Sequence, residues 1–304
     1  MNKIVLAQTD TIAGSIKHNA DKIKNNILKA KENNADLIIF PELALMGYPF
    51  GDIFIRHESV VKRQLEALEE ITALTQNITV LLGFAEPTND SNKKPFYNSV
   101  AVIQNGKIIN IVRKRLLPNY GEFNDYRYFE PSEEVSQIFE LNGEKYGILV
   151  CEDSFNDKTF FKNNSIYKTD PIEELIKQKP DTLINCSCSP SRCGKEYLKN
   201  KLFSSIARKY KVNYIYVNQA GYADNLSFDG TSKIYDKNGN LTLRAKTFDE
   251  DFVIVDDLKG IVNELPTGML EEIKINSFSL NYRNDLARTY KSIIFGIREY
   301  FKKN

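Results

Sequence analysis

The stretch Lys145-Tyr-Gly-Ile-Leu-Val-Cys-Glu-Asp153 constrains the fold more than any other part of the chain. Its apolar core, Gly147–Val150, has β character and delivers Cys151 directly into two acids. A strand that stops in this way predicts a thiol exposed at a sheet edge, where loops and ligands gather. The alternative is a small buried hydrophobe that closes a core strand. The choice turns on whether the chain supplies a base, a cation and a pocket for that thiol.

Composition narrows the base. The 304 residues include only two histidines, His18 and His57. Each opens a helical stretch, as solvated surface residues do. A Cys–His or Ser–His–Asp arrangement needs an oriented imidazole, so a nucleophilic Cys151 calls for a carboxylate base. The net charge of +1, from 41 basic and 40 acidic residues, gives no sign of a nucleic-acid or membrane surface. No apolar run suits a signal peptide or a bilayer span. Four cysteines in this length make no disulfide framework, which predicts reduced thiols and a cytoplasmic location.

Strand-like and helical segments alternate along the chain. Lys3–Gln8, Leu37–Phe40, Ile78–Phe84, Asn98–Ile103 and Lys107–Arg113 read as strands, with helices over 18–33 and 57–76. Asn-Gly pairs at 105–106, 142–143 and 238–239 predict hairpins, the last one ending near Asp256. Helices over 171–178 and 195–210 alternate with strands at Thr182–Asn185 and Val212–Val217. The pattern predicts α/β layers around one or two sheets. Over 286–301, Leu286, Tyr290, Ile293, Ile294, Ile297, Tyr300 and Phe301 form an apolar helical stripe. It needs a partner: the chain's own core, another domain or another subunit.

Three strand ends carry reactive groups: Glu42 after Phe40-Pro41, Lys114 after Arg113, and Cys151 after Val150. Brought together they make an acyl-transfer site. Glu42 would take the thiol proton and hand it to the leaving amine. Lys114, with a backbone N–H near Cys151, would stabilise the oxyanion, and its charge would favour thiolate. Cys186, Cys188 and Cys193 form a Cys-x-Cys-x4-Cys run with no fourth Cys or His nearby, so a structural zinc lacks a ligand. They are expected as buried or loop thiols, without a metal.

Phe40-Pro41-Glu42-Leu43, Lys114 and Cys151-Glu152-Asp153 resemble the Glu–Lys–Cys signature of the nitrilase, or carbon–nitrogen hydrolase, superfamily, along residues 1–265. The resemblance implies a four-layer α-β-β-α sandwich and cleavage of non-peptide C–N bonds through a thioester on the cysteine. A narrower set of motifs is similar to the glutaminase domain of the glutamine-dependent NAD+ synthetase family. These are Pro41–Pro49, Lys114–Gly121 with Arg127-Tyr-Phe129, Ser189-Pro190 with Gly194-Lys195, and Asn218-Gln219 followed by Phe228-Asp-Gly230.

That similarity implies glutamine as substrate and ammonia delivered to an ATP-dependent synthetase domain or partner. ATP, Mg and deamido-NAD would bind only there, leaving this chain without a cofactor. Residues 266–304 would be a linker and the helix that opens the synthetase domain. The family's tendency also implies a homo-oligomer. By motif position the glutamine contacts fall on Tyr120, Ser189 and Lys195; a lysine suits an α-carboxylate, and the two hydroxyls suit the polar groups of glutamine.

Two positions depart from the pattern. Asp125 stands where the family usually has a glutamate, one methylene longer, and Glu122 is near enough to substitute. Phe155 replaces a common tryptophan and keeps an aromatic pocket wall. Glu152 and Asp153 are expected to be structural or oxyanion-loop residues. The competing expectations are a stand-alone amidase acting on another small amide and a catalytically weak regulatory subunit.

Overall fold

The computed structural model describes residues 2–49, 51–52, 58–162, 165–256, 258 and 277–303. His57 and the expected boundary at 265/266 lie outside the described residues. His18 is exposed, as expected.

The described strands run β1 Ile4–Gln8, β2 Leu37–Ile39, β3 Thr79–Pro87, β4 Phe96–Gln104, β5 Lys107–Arg113, β6 Phe139–Leu141 and β7 Glu144–Val150. They continue as β8 Thr182–Ser187, β9 Asn213–Asn218, β10 Ala220–Ala223, β11 Leu226–Asp229, β12 Lys233–Tyr235, β13 Leu241–Arg244 and β14 Asp251–Val255. One six-stranded sheet has the order β14-β1-β2-β3-β4-β5, the other β13-β12-β9-β8-β7-β6. The central strands β1–β3 and β7–β9 are parallel, and their flanks are antiparallel.

Both faces of the central strands are covered, which is why they read as unbroken apolar runs. Ile4, Leu6, Ile39 and Leu81 of the first sheet meet Ile148, Val150, Ile184, Ile215 and Val217 of the second in the inter-sheet core. The alternate residues Val5, Ile38, Val80 and Leu82 point outward under helices α1 (Ile16–Glu32) and α2 (Glu58–Ala73). On the far side, Leu149, Leu183, Tyr214 and Tyr216 lie under α3 (Pro171–Ile176) and α4 (Lys195–Tyr210). Each fully buried branched side chain contributes about 1.5–3 kcal/mol. The result is the α-β-β-α sandwich expected.

Turn chemistry places the strands. Asn105-Gly106 and Asn142-Gly143 all have positive φ, which matches the twist of a two-residue hairpin. Asp170 caps α3, accepting from the N–H groups of Ile172 and Glu173 with Pro171 in the first turn. The third Asn-Gly pair turns β12 into β13, but the hairpin stops at Arg244. The chain then crosses to the other sheet, where β14 pairs antiparallel with β1. The hairpin β10–β11, turning at Asp224-Asn225 with both φ positive, carries no glycine in its turn and escaped the sequence reading.

Helix α5 (Ser277–Lys303) overturns one reading of its stripe. Leu286, Tyr290, Ile293, Ile294, Ile297, Tyr300 and Phe301 are all about half exposed or more, so the chain's own core does not take them. The seated face is the mixed one. Phe295 packs on Phe248, Lys303 reaches Asp10 at 2.6 Å, and Arg288 reaches Asp229.

Candidate active site

Glu42, Lys114 and Cys151 come from the ends of β2, β5 and β7, at the edge where the carboxyl ends of parallel strands leave room for a ligand. Gly83 on β3 lets the Pro41–Leu43 turn lie flat across the sheet, because a Cβ there would collide with Pro41 O and Leu43 N. Cys151 has φ +44°, a strained conformation for a residue with a side chain. It starts the 3-10 turn Cys151–Ser154.

Asp153 locks that turn. Its Oδ2 accepts from the Val150 N–H at 3.1 Å, and its Oδ1 from the N–H groups of Arg115 and Leu116 at 3.0 and 2.9 Å. The cysteine turn is thus tied to the chain just beyond Lys114. Asp153 is structural, as expected.

Lys114 is 1% exposed and held between two carboxylates, Glu42 Oε1 at 2.6 Å and Asp125 Oδ2 at 2.7 Å. Glu42 also accepts from Asn98 Nδ2 at 2.7 Å and, through Oε2, from the Cys188 N–H at 2.8 Å. Tyr48 donates to Asp125 Oδ1 at 3.1 Å. The shorter Asp125 therefore reaches Lys114, and Glu122 does not stand in for it. Glu122 sits 3.5 Å from Arg192 at the rim.

A cavity of about 150 Å³ opens above these groups, and Tyr120, Cys151, Phe155, Ser189 and Lys195 all line it. Glu42, Lys114 and Asp125 are not among the lining residues and lie in the buried floor. Cys151 itself is only 5% exposed, so the thiol is enclosed rather than displayed at an open edge. Phe155 packs edge-on against Phe203, with ring centres 5.9 Å apart, and forms the aromatic wall.

A protein-family model described as carbon–nitrogen hydrolase matches residues 3–260. The chain belongs to the carbon–nitrogen hydrolase family. Over its whole length it is 33% identical to a glutamine-dependent NAD(+) synthetase from Synechocystis sp., of which it spans 53%. A glutamine-dependent NAD(+) synthetase from Thermotoga maritima is also 33% identical over 84% of this chain and 42% of its own length. The structure of glutamine-dependent NAD+ synthetase from Acinetobacter baumannii superposes with a TM-score of 0.81 at 31% identity, over 99% of this chain and 52% of that one. An amidase of the nitrilase superfamily from Nesterenkonia shares the fold, with a TM-score of 0.71 at 18% identity over 84% of this chain and 89% of its own. The chain thus spans about half the length of the synthetases it matches. It is a C–N hydrolase enzyme.

The electrostatics of this carbon–nitrogen hydrolase pocket divide by depth. Burial alone would push the Lys114 ammonium down, but Asp125 and Glu42 hold it well above its ordinary value. Burial, reinforced by the Glu42 carboxylate, pushes the Cys151 thiol up against the pull of Lys114. Lys114 favours thiolate, as expected, but burial and Glu42 outweigh its pull. One cation stands between two carboxylates, and the thiol rests protonated.

Higher in the cavity, burial raises Glu152 to about 6, opposed by hydrogen bonds from Tyr120 and Tyr167. Burial, helped by Lys199, lowers Lys195 to about 8. Its Nζ lies 4.9 Å from the centre of the Phe123 ring.

Glu152 is the residue the sequence reading underrated. It lines the cavity, and its Oε1 accepts from Tyr120 at 2.7 Å and Tyr167 at 3.0 Å. Tyr48 lies within the Pro41–Pro49 motif without standing out in it, Tyr167 has no motif to reveal it, and the only signal for Glu152 is its place beside the cysteine. Cys186 belongs to the inter-sheet core and Cys188 to the core under α1 and α2, while Cys193 is exposed at the cavity rim. The three thiols serve separate surroundings. Among the described residues no helix is long and apolar enough to cross a membrane.

Proposed function

We propose that the protein is a glutamine amidohydrolase that works through a thioester on Cys151 and supplies ammonia to ATP-dependent NAD+ synthesis. The observation that carries this reading is a buried Lys114, bridged to Glu42 and Asp125 at 2.6 and 2.7 Å, at the floor of a cavity lined by Cys151. Because the thiol rests protonated, attack needs a base. Glu42 takes the proton as sulfur bonds to the γ-carbonyl carbon. The oxyanion falls to Lys114 and a backbone N–H near Cys151. The C–N bond breaks as Glu42 returns the proton to nitrogen, and ammonia leaves. Water then attacks the thioester, Glu42 takes its proton and passes it to sulfur, and glutamate is released.

The cavity wall supports an amino-acid substrate. Glu152 Oε1 is occupied by two phenols, which leaves Oε2 for an α-ammonium, and Lys195 offers a cation for the α-carboxylate. Tyr120, Ser189 and Phe155 complete the walls around the side chain. A zwitterion needs both charges, so binding should be strongest between about pH 6 and 8.

The proposal extends to a division near residue 265, an ATP-, Mg- and deamido-NAD-binding synthetase domain or partner, and a cytoplasmic homo-oligomer; what supports the synthetase part is the likeness to glutamine-dependent NAD(+) synthetases. An intact ion-paired Asp125 speaks against the regulatory-subunit alternative. A panel of small amides, assayed for ammonia release, tests substrate choice. Glutamine should give the highest kcat/KM. A clear preference for an amide lacking the α-ammonium or α-carboxylate would instead assign a stand-alone amidase.

A further inference from the structure

Asp229, in the Phe228-Asp-Gly230 motif, takes no part in the chemistry above, yet it is only 1% exposed. Its Oδ1 accepts from Asn218 Nδ2 at 3.2 Å and lies 3.4 Å from Lys199 Nζ. Its Oδ2 accepts from the Arg288 guanidinium of α5. Asn218 carries the connection onward: its Oδ1 accepts from the Ser189 N–H at 2.8 Å, and its Nδ2 donates to the Ser189 carbonyl at 3.2 Å.

Arg288 also lies 3.8 Å from Glu196 Oε2. Glu196 follows Lys195 in the first turn of α4, and its Oε1 meets Lys233 at 2.6 Å and Arg244 at 3.4 Å. One guanidinium on α5 therefore hydrogen-bonds Asp229, which is linked to Ser189 through Asn218, and stands within ion-pair distance of Glu196, the residue next to Lys195.

We propose that Arg288 is a positioning residue for the ligand-binding wall: by bridging Asp229 and Glu196 it fixes Ser189 and Lys195, so affinity for substrate depends on α5 being seated. The ligand in this proposal rests on the glutaminase reading; the positioning does not. Buried carboxylates are costly to leave underpaired. Without Arg288, Asp229 is drawn toward Lys199 and away from Asn218. Glu196 is drawn toward Lys233 and Arg244, turning the first residues of α4. Glu42, Lys114 and Cys151 are held by β2, β5 and β7, and among the described residues Glu42 meets this network only through Cys188, so the chemical step is largely spared.

The test compares the full chain with Arg288→Gln, Arg288→Lys and Lys303→Gln. The last severs the other end of α5 from Asp10, away from the pocket. Two readouts are needed: hydrogen–deuterium exchange over 187–198 and 226–230, and KM and kcat for glutamine hydrolysis. Arg288→Gln should speed exchange in those segments and raise KM about tenfold, with kcat within about threefold. Arg288→Lys should recover most of both, and Lys303→Gln should move neither.

Unchanged exchange in Arg288→Gln overturns the proposal. So do equal effects from Lys303→Gln, which would mean general undocking of the helix, and a loss confined to kcat. If the unaltered chain does not hydrolyse glutamine, the functional reading fails, while exchange still decides whether Arg288 positions the wall.

Discussion

The floor and the wall of the cavity are both built from lysines and carboxylates, but they are wired differently. At the floor one cation, Lys114, sits between two acids, with both partners within 2.7 Å and no exposed surface to speak of. At the wall, Lys195 has no such clamp among the described residues. Burial and a neighbouring cation pull its pKa down to about 8, and Glu152 opposite is pushed up to about 6. A sealed floor of one cation between two acids lets Cys151 and Glu42 exchange one proton out of reach of solvent. A half-open wall with both charges near their titration points answers to ligand and pH. The first arrangement suits chemistry, the second recognition.

Breaking the floor should cost most. Cys151→Ala should reduce ammonia release from glutamine by about 10⁴-fold or more while leaving glutamine binding measurable by calorimetry. Lys114→Met leaves Glu42 and Asp125 buried without their cation. It should lower unfolding free energy by about 3–5 kcal/mol in urea denaturation and abolish turnover. If that variant proves as stable as the parent, the ion-pair account of the floor is wrong.

Breaking the wall should change affinity and its pH dependence instead. Glu152→Gln keeps an acceptor for the two phenols but loses the charge, so KM for glutamine should rise about 50-fold with little change in kcat. In the unaltered enzyme 1/KM should fall as pH drops through about 6, where Glu152 gains a proton, and again as pH rises through about 8, where Lys195 loses one. Glu152→Gln should erase the acidic limb and leave the alkaline one.

The smallest effect is expected from Tyr167→Phe. It removes one of two donors to Glu152 Oε1, costing about fivefold in KM. Losing a hydrogen bond to the charged form also moves the acidic limb to higher pH. A steady-state KM profile from pH 5 to 9 reads all three changes.

The same contrast explains what the sequence could reveal. Glu42, Lys114 and Cys151 each interrupt an apolar run, so a local rule exposes them, and the four layers follow from strands buried on both faces. Asp125 was also visible by motif spacing, although only the ion pair with Lys114 shows that its shorter reach suffices. The wall is assembled across long separations. Glu152 meets Tyr120 and Tyr167 from two other loops, and Asp229 meets Arg288 from a helix near the end of the chain. No periodicity records such pairs.

The stripe on α5 fails for a related reason. Apolar spacing identifies the face that wants cover, but ionic anchors at Arg288 and Lys303 decide which face is seated.

The central claim is that Cys151 is the nucleophile, protonated at rest and activated by Glu42. The most direct measurement is mass spectrometry of the protein after exposure to a glutamine-mimicking electrophile, with peptide mapping of the adduct. The account predicts a single adduct on Cys151, formed far more slowly in Glu42→Gln. Labelling of Cys186 or Cys193 with Cys151 untouched, or undiminished labelling of Cys151 without Glu42, would contradict it.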